Sequence, residues 1–224
     1  MSVFVSAAEL NERIQTGQKQ TIIAALWEPK DGKAWSKFQS EHIPTALYCD
    51  PSVQLAGLPG RAVGRNPLPS IDVVRKAAAG WGIEDGRPVY IYDGGNGLFA
   101  ARAWWILRWA GVTDVHILDG GFATWDGEGF PTVAGPGGIV VPRGVELTEG
   151  NLPSATMEDV RAFDGLLIDA RGARRFQGLR EILDLRAGHI PGARNLPVND
   201  LFDPESHKVK DTDTIRDRFS QLGV

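Results

Sequence analysis

Charged side chains stand at the ends of two predicted strands, where they could bind or replace an anion. Asp93 ends the apolar run 88–92 and begins a glycine-rich loop that leads into a helix. A carboxylate in this place can accept hydrogen bonds from the loop amides, as a helix N-cap does. Arg174 and Arg175 lie just beyond a second apolar run, 166–170. A guanidinium group suits a sulfonate or a carboxylate, and the alternatives are an ion pair with a neighbouring acid or a solvated charge cluster.

The chain contains two copies of one pattern. The segment EHIPTA at 41–46 recurs as GHIPGA at 188–193, so His189 lies 147 residues after His42. Each motif follows an apolar, strand-like run, and the two runs are offset by 145 residues. A period of this length is far longer than a solenoid unit and indicates two related domains. Because both histidines open the same turn, we interpret them as turn-stabilising residues rather than as metal ligands or acid–base groups.

Predicted strands and helices alternate along the chain. The runs 21–27 and 88–92 are typical of buried strands. The helix predicted at 99–109 is apolar nearly all around, so it should be largely buried. Residues 28–40 are polar and are predicted to form a loop. This alternation predicts an α/β fold with a mainly parallel sheet flanked by helices.

Glycine and proline content suggests where the domains divide. Residues 132–153 are rich in both and are predicted to link a first domain at 1–131 to a second at 154–224. The second copy of the pattern does not reach the strand, glycine-rich loop and apolar helix that follow in the first. The second domain is therefore expected to be incomplete within these 224 residues. By the repeat, the position equivalent to Asp93 would lie near residue 234, about ten residues past the end.

Composition limits the classes of function. A hydrophobic fraction of 42% and a charged fraction of 23% are ordinary for a soluble globular protein. A net charge of −4 gives no reason to expect nucleic acid or an anionic membrane as a partner. The N-terminus lacks the basic and apolar regions of a secretory signal, and a single cysteine, Cys49, excludes an intramolecular disulfide. We therefore expect a cytoplasmic protein.

Four segments together resemble the tandem-domain rhodanese sulfurtransferases, which include thiosulfate and 3-mercaptopyruvate sulfurtransferases. The segments are GHIPGA (188–193), DAR (169–171), ARAWW (101–105) and LDGG (118–121). The resemblance covers nearly the whole chain and implies two rhodanese-like α/β domains, of which the second is catalytic. It implies that a cysteine takes sulfane sulfur from a small-molecule donor, becomes a persulfide, and passes the sulfur to cyanide or a thiol. No cofactor, metal, nucleic acid or membrane partner is implied, and a monomer is expected.

The resemblance also assigns roles to residues. Asp93 stands where the family has its cysteine, and a carboxylate cannot form a persulfide, so the first domain is expected to be catalytically silent. The catalytic cysteine is expected near position 234, and Cys49 does not replace it because Cys49 lies near a strand end rather than in a strand-to-helix loop. Arg175 is the best match to the arginine that binds the anionic donor, and Arg174 is second. Arg171 is expected to bond within the fold, and the 224 residues alone are expected to be inactive.

Two other functions stay open beside sulfur transfer. The first is a catalytically inactive rhodanese-like protein with a binding or regulatory role. The second is a phosphatase, because the cell-cycle dual-specificity phosphatases share this fold and have a loop that is one residue longer. The tandem architecture argues against the phosphatase.

Overall fold

The chain folds into two compact units. The structure is a computed structural model that describes residues 2–184 and 186–224. The units are Met1–Pro153 and Ser154–Val224, and each has its own sheet. No helix formed by the described residues is both long enough and apolar enough to cross a membrane.

The first unit alternates strands and helices. Its strands are β1 (Phe4–Val5), β2 (Thr21–Ala25), β3 (Leu47–Cys49), β4 (Val89–Tyr92) and β5 (Val115–Leu118). Its helices are α1 (Ala7–Gln15), α2 (Lys33–Ser40), α3 (Pro51–Gln54), α4 (Ile71–Gly80), α5 (Leu98–Trp109) and α6 (Gly121–Gly127). The strands pair in parallel in the order β1-β5-β4-β2-β3. The predicted α/β fold with a parallel sheet is therefore confirmed.

The central strands β2 and β4 are covered on both faces. Every residue of both strands is buried, which is typical of a parallel sheet between helices. Successive side chains of a strand point to opposite faces. Ile23 and Ile91 accordingly join one core with Leu107 of α5, whereas Ile22 and Tyr92 join a second core. Burial of each aliphatic side chain of this size stabilises the fold by about 1.5–3 kcal/mol.

The polar segment 28–40, predicted to be a loop, contains the helix α2. Ala34 and Phe38 lie four residues apart, so they share one face of this helix, and both are buried. The prediction was wrong because a helix with so few buried apolar side chains carries a weak periodic signal.

Residues 132–153, predicted to be a linker, lie along the first unit instead. His42 and Val133 exchange two backbone hydrogen bonds of 2.9 Å. Leu147 is 2% exposed and belongs to the core that contains α5. Glycine and proline mark an irregular backbone here rather than a separation between units, and the first unit extends to Pro153.

The second unit is smaller and less buried. Its helices are α7 (Met157–Ala162), α8 (Ala173–Phe176), a 3-10 helix (Val198–Leu201) and α9 (Thr212–Ser220), and its strands are β6 (Ile168–Asp169) and β7 (Arg194–Asn195). The two strands pair in parallel. Among the residues that the structure describes in this unit, only Leu196 is a buried apolar residue. Apolar side chains such as Phe163 and Ile182 are exposed.

The two units repeat one strand pairing. Ile23 of β2 is paired with Leu47 of β3, and Ile168 of β6 is paired with Arg194 of β7. The paired positions are offset by 145 and 147 residues, the same two offsets that the sequence pattern shows. The internal repeat therefore extends from the sequence to the register of the sheets.

Candidate functional site

The carboxylate of Asp93 fills a ring of backbone amides at the N-terminus of α5. Its Oδ1 accepts hydrogen bonds from the amides of Gly95 at 2.9 Å and Gly97 at 3.1 Å. Its Oδ2 accepts from Phe99 at 3.1 Å and Ala100 at 3.2 Å. The side chain is 1% exposed. Loop amides at a helix N-terminus form an anion site, and in the first unit the chain supplies the anion itself.

Gly121 allows the Asp93 loop to lie against the start of α6. A Cβ atom at Gly121 would lie 2.7 Å from the carbonyl oxygen of Asp93 and 2.9 Å from the amide nitrogen of Gly95. Its φ of +58° is also in the left-handed region that favours glycine. The amide of Phe122 donates to the Asp93 carbonyl at 2.8 Å. The second glycine of the LDGG segment thus has a packing role in holding this loop.

In the second unit, the guanidinium of Arg175 is held by two carboxylates. Its Nε donates to Glu181 Oε2 at 3.0 Å, and its Nη2 donates to both Glu181 oxygens at 2.9 and 3.1 Å. The same Nη2 donates to Asp184 Oδ2 at 2.7 Å. The ion pair that the sequence left open as an alternative is therefore present at Arg175.

Glu181 is itself fixed by the backbone. Its Oε1 accepts hydrogen bonds from the amides of Leu183 at 2.9 Å and Asp184 at 3.1 Å, and its side chain is 5% exposed. These amide bonds, the one from Leu183 foremost, and the Arg175 guanidinium lower the pKa of Glu181 to about 2. The sequence analysis did not identify Glu181. The one sequence feature that could have indicated it is the position of this carboxylate, six residues after Arg175.

Arg171 bonds within the fold, as its position predicts. Its Nη2 donates to Asp169 Oδ2 at 2.6 Å and to the carbonyl oxygen of Gly188 at 2.6 Å, while its Nε contacts both Asp169 oxygens. The hydrogen bond from Arg171 holds the pKa of Asp169 below its usual value. Arg171 Nη1 also lies 3.9 Å from Glu181 Oε2. Arg171 thereby ties the end of β6 to the GHIPGA turn and to the carboxylate that holds Arg175.

Arg174 and Arg175 border the same cavity, which measures about 370 Å³. The other lining residues are Gly172, Ala173, Arg180, Ile182 and Leu183. Arg174 and Arg180 are exposed. Within the part of the chain that the structure describes, the side chains of these two arginines form no hydrogen bond or ion pair. The cavity therefore offers guanidinium groups beside an apolar wall.

A stacked pair of rings marks the equivalent place in each unit. In the second unit the rings of Phe176 and His189 stack with centroids 3.7 Å apart. His189 Nδ1 lies 2.7 Å from the Phe176 carbonyl oxygen. In the first unit Phe38 and His42 stack at 4.1 Å, and His42 Nδ1 lies 2.7 Å from the Phe38 carbonyl oxygen. Each histidine thus bonds its turn to the backbone of the preceding helix in its own unit, α2 for His42 and α8 for His189.

The stacked pairs identify which first-unit residue corresponds to Arg175. Arg175 directly precedes Phe176, and Lys37 directly precedes Phe38. Lys37 forms an ion pair with Glu28, and its hydrogen bond lowers the pKa of that carboxyl. Each unit therefore places a cation before the stacked phenylalanine and pairs it with a glutamate. Arg174 has no such counterpart, because Ser36 occupies its place.

Cys49 lies in the core of the first unit. It is the last residue of β3 and is fully buried. Burial raises the pKa of its thiol well above the usual value, which suppresses the thiolate that sulfur chemistry needs. Cys49 is a core residue, as its sequence position suggests.

Known proteins similar to this chain form a consistent group. The rhodanese-like domain family matches residues 6–128. The chain is 34% identical over 205 residues to the putative thiosulfate sulfurtransferase SseB of Mycobacterium tuberculosis, covering 89% of this chain and 72% of that protein. It is 35% identical over 206 residues to the probable 3-mercaptopyruvate sulfurtransferase of Pseudomonas aeruginosa, covering 88% of this chain and 70% of that one.

Solved structures with the same fold extend this group. SseA of Escherichia coli, a protein described with the 3-mercaptopyruvate sulfotransferases, is 31% identical with a TM-score of 0.84, covering 100% of this chain and 85% of that one. The 3-mercaptopyruvate sulfurtransferase of Leishmania major gives a TM-score of 0.85 at 22% identity. That likeness concerns the fold alone. The present chain spans 62% of the length of the Leishmania protein.

Proposed function

Because this chain belongs to the rhodanese sulfurtransferase family, we propose that it provides the donor-binding site for transfer of sulfane sulfur through a cysteine persulfide. The sulfur donor is a small anion, thiosulfate or 3-mercaptopyruvate, and the acceptor is cyanide or a thiol. The proposal includes a monomer that works in the cytoplasm without a metal or organic cofactor. Its main support beyond family membership is the arginine-lined cavity of the second unit.

The cavity suits a small anion with an oxygen-rich end. Arg174, Arg175 and Arg180 border it, and guanidinium groups recognise planar or tetrahedral oxyanions through paired N–H donors. Arg175 is the principal donor-binding residue in this proposal, because it is oriented by its neighbours and has a cationic counterpart in the first unit. Arg174 is second, since its exposed side chain adds charge at the rim.

The chemistry needs a thiolate beside the cavity. In the first half-reaction, a cysteine thiolate attacks the outer sulfur of thiosulfate. The S–S bond of thiosulfate breaks, and sulfite leaves with the electron pair. The cysteine is then a persulfide anion. In the second half-reaction, cyanide attacks the outer sulfur of the persulfide, thiocyanate leaves, and the thiolate is restored. Neither step changes the total charge or requires an external oxidant.

The proposal places this cysteine at the second-unit equivalent of Asp93, near position 234 by the internal repeat. The Asp93 loop indicates how such a site is built. Four backbone amides converge on one anionic side chain there. The same arrangement around a cysteine would lower its pKa and hold the persulfide anion. Asp93 itself has no sulfur, so its loop is the silent copy.

A second function, binding without catalysis, is favoured by one specific observation. Arg175 is already paired with both Glu181 and Asp184, so its charge is neutralised before a donor arrives. A rhodanese-like protein that has lost turnover could keep this network for stability alone.

The two functions are separated by steady-state kinetics on the protein expressed from its natural gene. Thiocyanate formation is measured with thiosulfate and cyanide, and pyruvate formation is measured with 3-mercaptopyruvate. We expect turnover, and we expect Arg175→Ala to raise KM for the donor by about tenfold or more, since a charged hydrogen bond contributes about 1.5–3 kcal/mol. Arg174→Ala should raise KM by a smaller factor. Absence of turnover with either donor would support the binding protein.

A further inference from the structure

We infer that Glu181 is the positioning residue of the donor site: it holds the Nε–Nη2 edge of the Arg175 guanidinium and orients Nη1 to donate to the anionic donor. This inference rests on the proposed function for the identity of the ligand. The contact between the two side chains stands independently of it.

The hydrogen bonds that the Arg175 side chain donates within the described residues come from Nε and Nη2. Nε and Nη2 face Glu181 in a side-on, bidentate pair, and Nη2 also reaches Asp184. Nη1 donates no hydrogen bond to any residue in the ranges 2–184 and 186–224. A guanidinium has a fixed planar fork of donors, so fixing the Nε–Nη2 edge also fixes the direction in which Nη1 points.

The two carboxylates on Arg175 differ in their exposure and in how they contact the guanidinium. Glu181 is 5% exposed and accepts two backbone hydrogen bonds. Asp184 is 38% exposed and reaches Arg175 through one oxygen. An exposed ion pair is screened by solvent and contributes little, whereas a buried bidentate pair is costly to break. An incoming anion should therefore compete with Asp184 for Arg175 and leave Glu181 in place.

If Glu181 acted only through its charge, removing that charge would strengthen donor binding, whereas a positioning role predicts weaker binding. The network of Asp169, Arg171, Glu181, Arg175 and Asp184 contains three carboxylates and two guanidinium groups. Removal of any carboxylate makes the site more positive, which by itself favours an anionic donor. A positioning role predicts weaker donor binding when Glu181 is neutralised, despite the added positive charge. The sign of the effect therefore separates the two roles.

The test compares Glu181→Gln with Asp184→Asn, which remove the same charge from the same arginine. The protein is expressed from its natural gene, and thiosulfate binding is measured by calorimetry. We expect Glu181→Gln to weaken binding by about tenfold and Asp184→Asn to tighten it. In the Arg175→Ala background, Glu181→Gln should have no further effect, because it acts through the arginine. Equal tightening by both variants would overturn the inference.

The same samples give a readout that does not depend on the ligand. In nitrogen-15 NMR spectra, the Arg175 Nε–H signal, assigned by its loss in Arg175→Lys, should be protected from solvent exchange in the wild type and unprotected in Glu181→Gln. Persistence of its protection in that variant would overturn the inference. If the wild-type protein does not bind thiosulfate but Glu181→Gln still loses the protection of this signal, the proposed function is contradicted and the role of Glu181 in holding Arg175 is supported.

Because Glu181→Gln removes a charge that pairs with Arg175 and so changes the stability of the second unit, a second variant keeps the charge. Glu181→Asp retains the carboxylate and shortens its reach by one methylene group. Weaker thiosulfate binding by this variant supports positioning, since the net charge of the site is unchanged. Wild-type affinity together with a wild-type Arg175 Nε–H signal would contradict it.

Discussion

Thr45 adopts the same left-handed backbone conformation as Gly192, its equivalent in the internal repeat. The φ angles are +68° and +84°. Both residues are exposed in the turn that follows the stacked histidine. Left-handed backbone is costly for a β-branched residue and free of that cost for glycine. The turn therefore has the same backbone conformation in both units, but in the first unit it is strained because Thr45 replaces glycine.

Thr45→Gly should stabilise the first unit. Relief of left-handed strain is worth about 1–2 kcal/mol and the added freedom of glycine in the unfolded chain costs about 0.5–1 kcal/mol, so the expected net gain is about 1 kcal/mol. The free energy of unfolding is measured by chemical denaturation. The matched reverse change, Gly192→Thr, should destabilise the second unit by a similar amount. A less stable Thr45→Gly variant would show that the threonine side chain makes a compensating contact.

Asp93→Asn should destabilise the first unit by about 3 kcal/mol. The amide side chain keeps one acceptor oxygen and turns two N–H donors toward amides that are donors themselves, and unsatisfied buried donors cost about 1–3 kcal/mol each. Asp126→Asn is the control, because Asp126 is exposed on α6 and its change should fall within about 0.5 kcal/mol. Urea denaturation followed by tryptophan fluorescence compares the three proteins. Equal stability of all three would contradict a buried capping role for Asp93.

The second unit should lose stability in acid through Glu181. The folded pKa of this group is about 2, below its usual value of 4.5. A depressed pKa means that the folded state binds its proton less readily than the unfolded state does. The stabilisation is therefore present above about pH 4.5 and is lost as the pH falls toward 2. Glu181→Gln should flatten this part of the pH profile, measured by thermal unfolding. An unchanged profile would indicate that other carboxylates, such as Asp169, account for the acid sensitivity.

Much of the fold could be predicted from local patterns. The strand β4 was predictable because it is a continuous apolar run, and the helix α5 because it is apolar nearly all around. The alternation of strands and helices indicated a parallel sheet. The path of residues 132–153 was not predictable, because their contacts are made by scattered residues such as Val133 and Leu147. Val133 pairs with His42, 91 residues earlier, and the Leu147 carbonyl accepts from Arg75, 72 residues earlier. Contacts of this range leave no periodic trace in the sequence.

The candidate site was predictable only in part. Family resemblance selected Arg175, and the structure adds a reason, because Arg175 precedes the stacked Phe176 as Lys37 precedes Phe38. The partner Glu181 was not predictable, since its role depends on a turn that brings its carboxylate back to Arg175. The amide ring around Asp93 was partly predictable, because a carboxylate that opens a glycine-rich loop before a helix is a natural cap.

Sulfur transfer is tested most directly by the mass of the protein expressed from its natural gene, measured before and after incubation with thiosulfate. We predict a gain of one sulfur atom on a single cysteine other than Cys49, and loss of that sulfur on addition of cyanide with release of thiocyanate. Arg175→Ala should slow the gain at low thiosulfate concentrations. A mass that does not change with thiosulfate or 3-mercaptopyruvate would contradict sulfur transfer and leave a rhodanese-like binding protein.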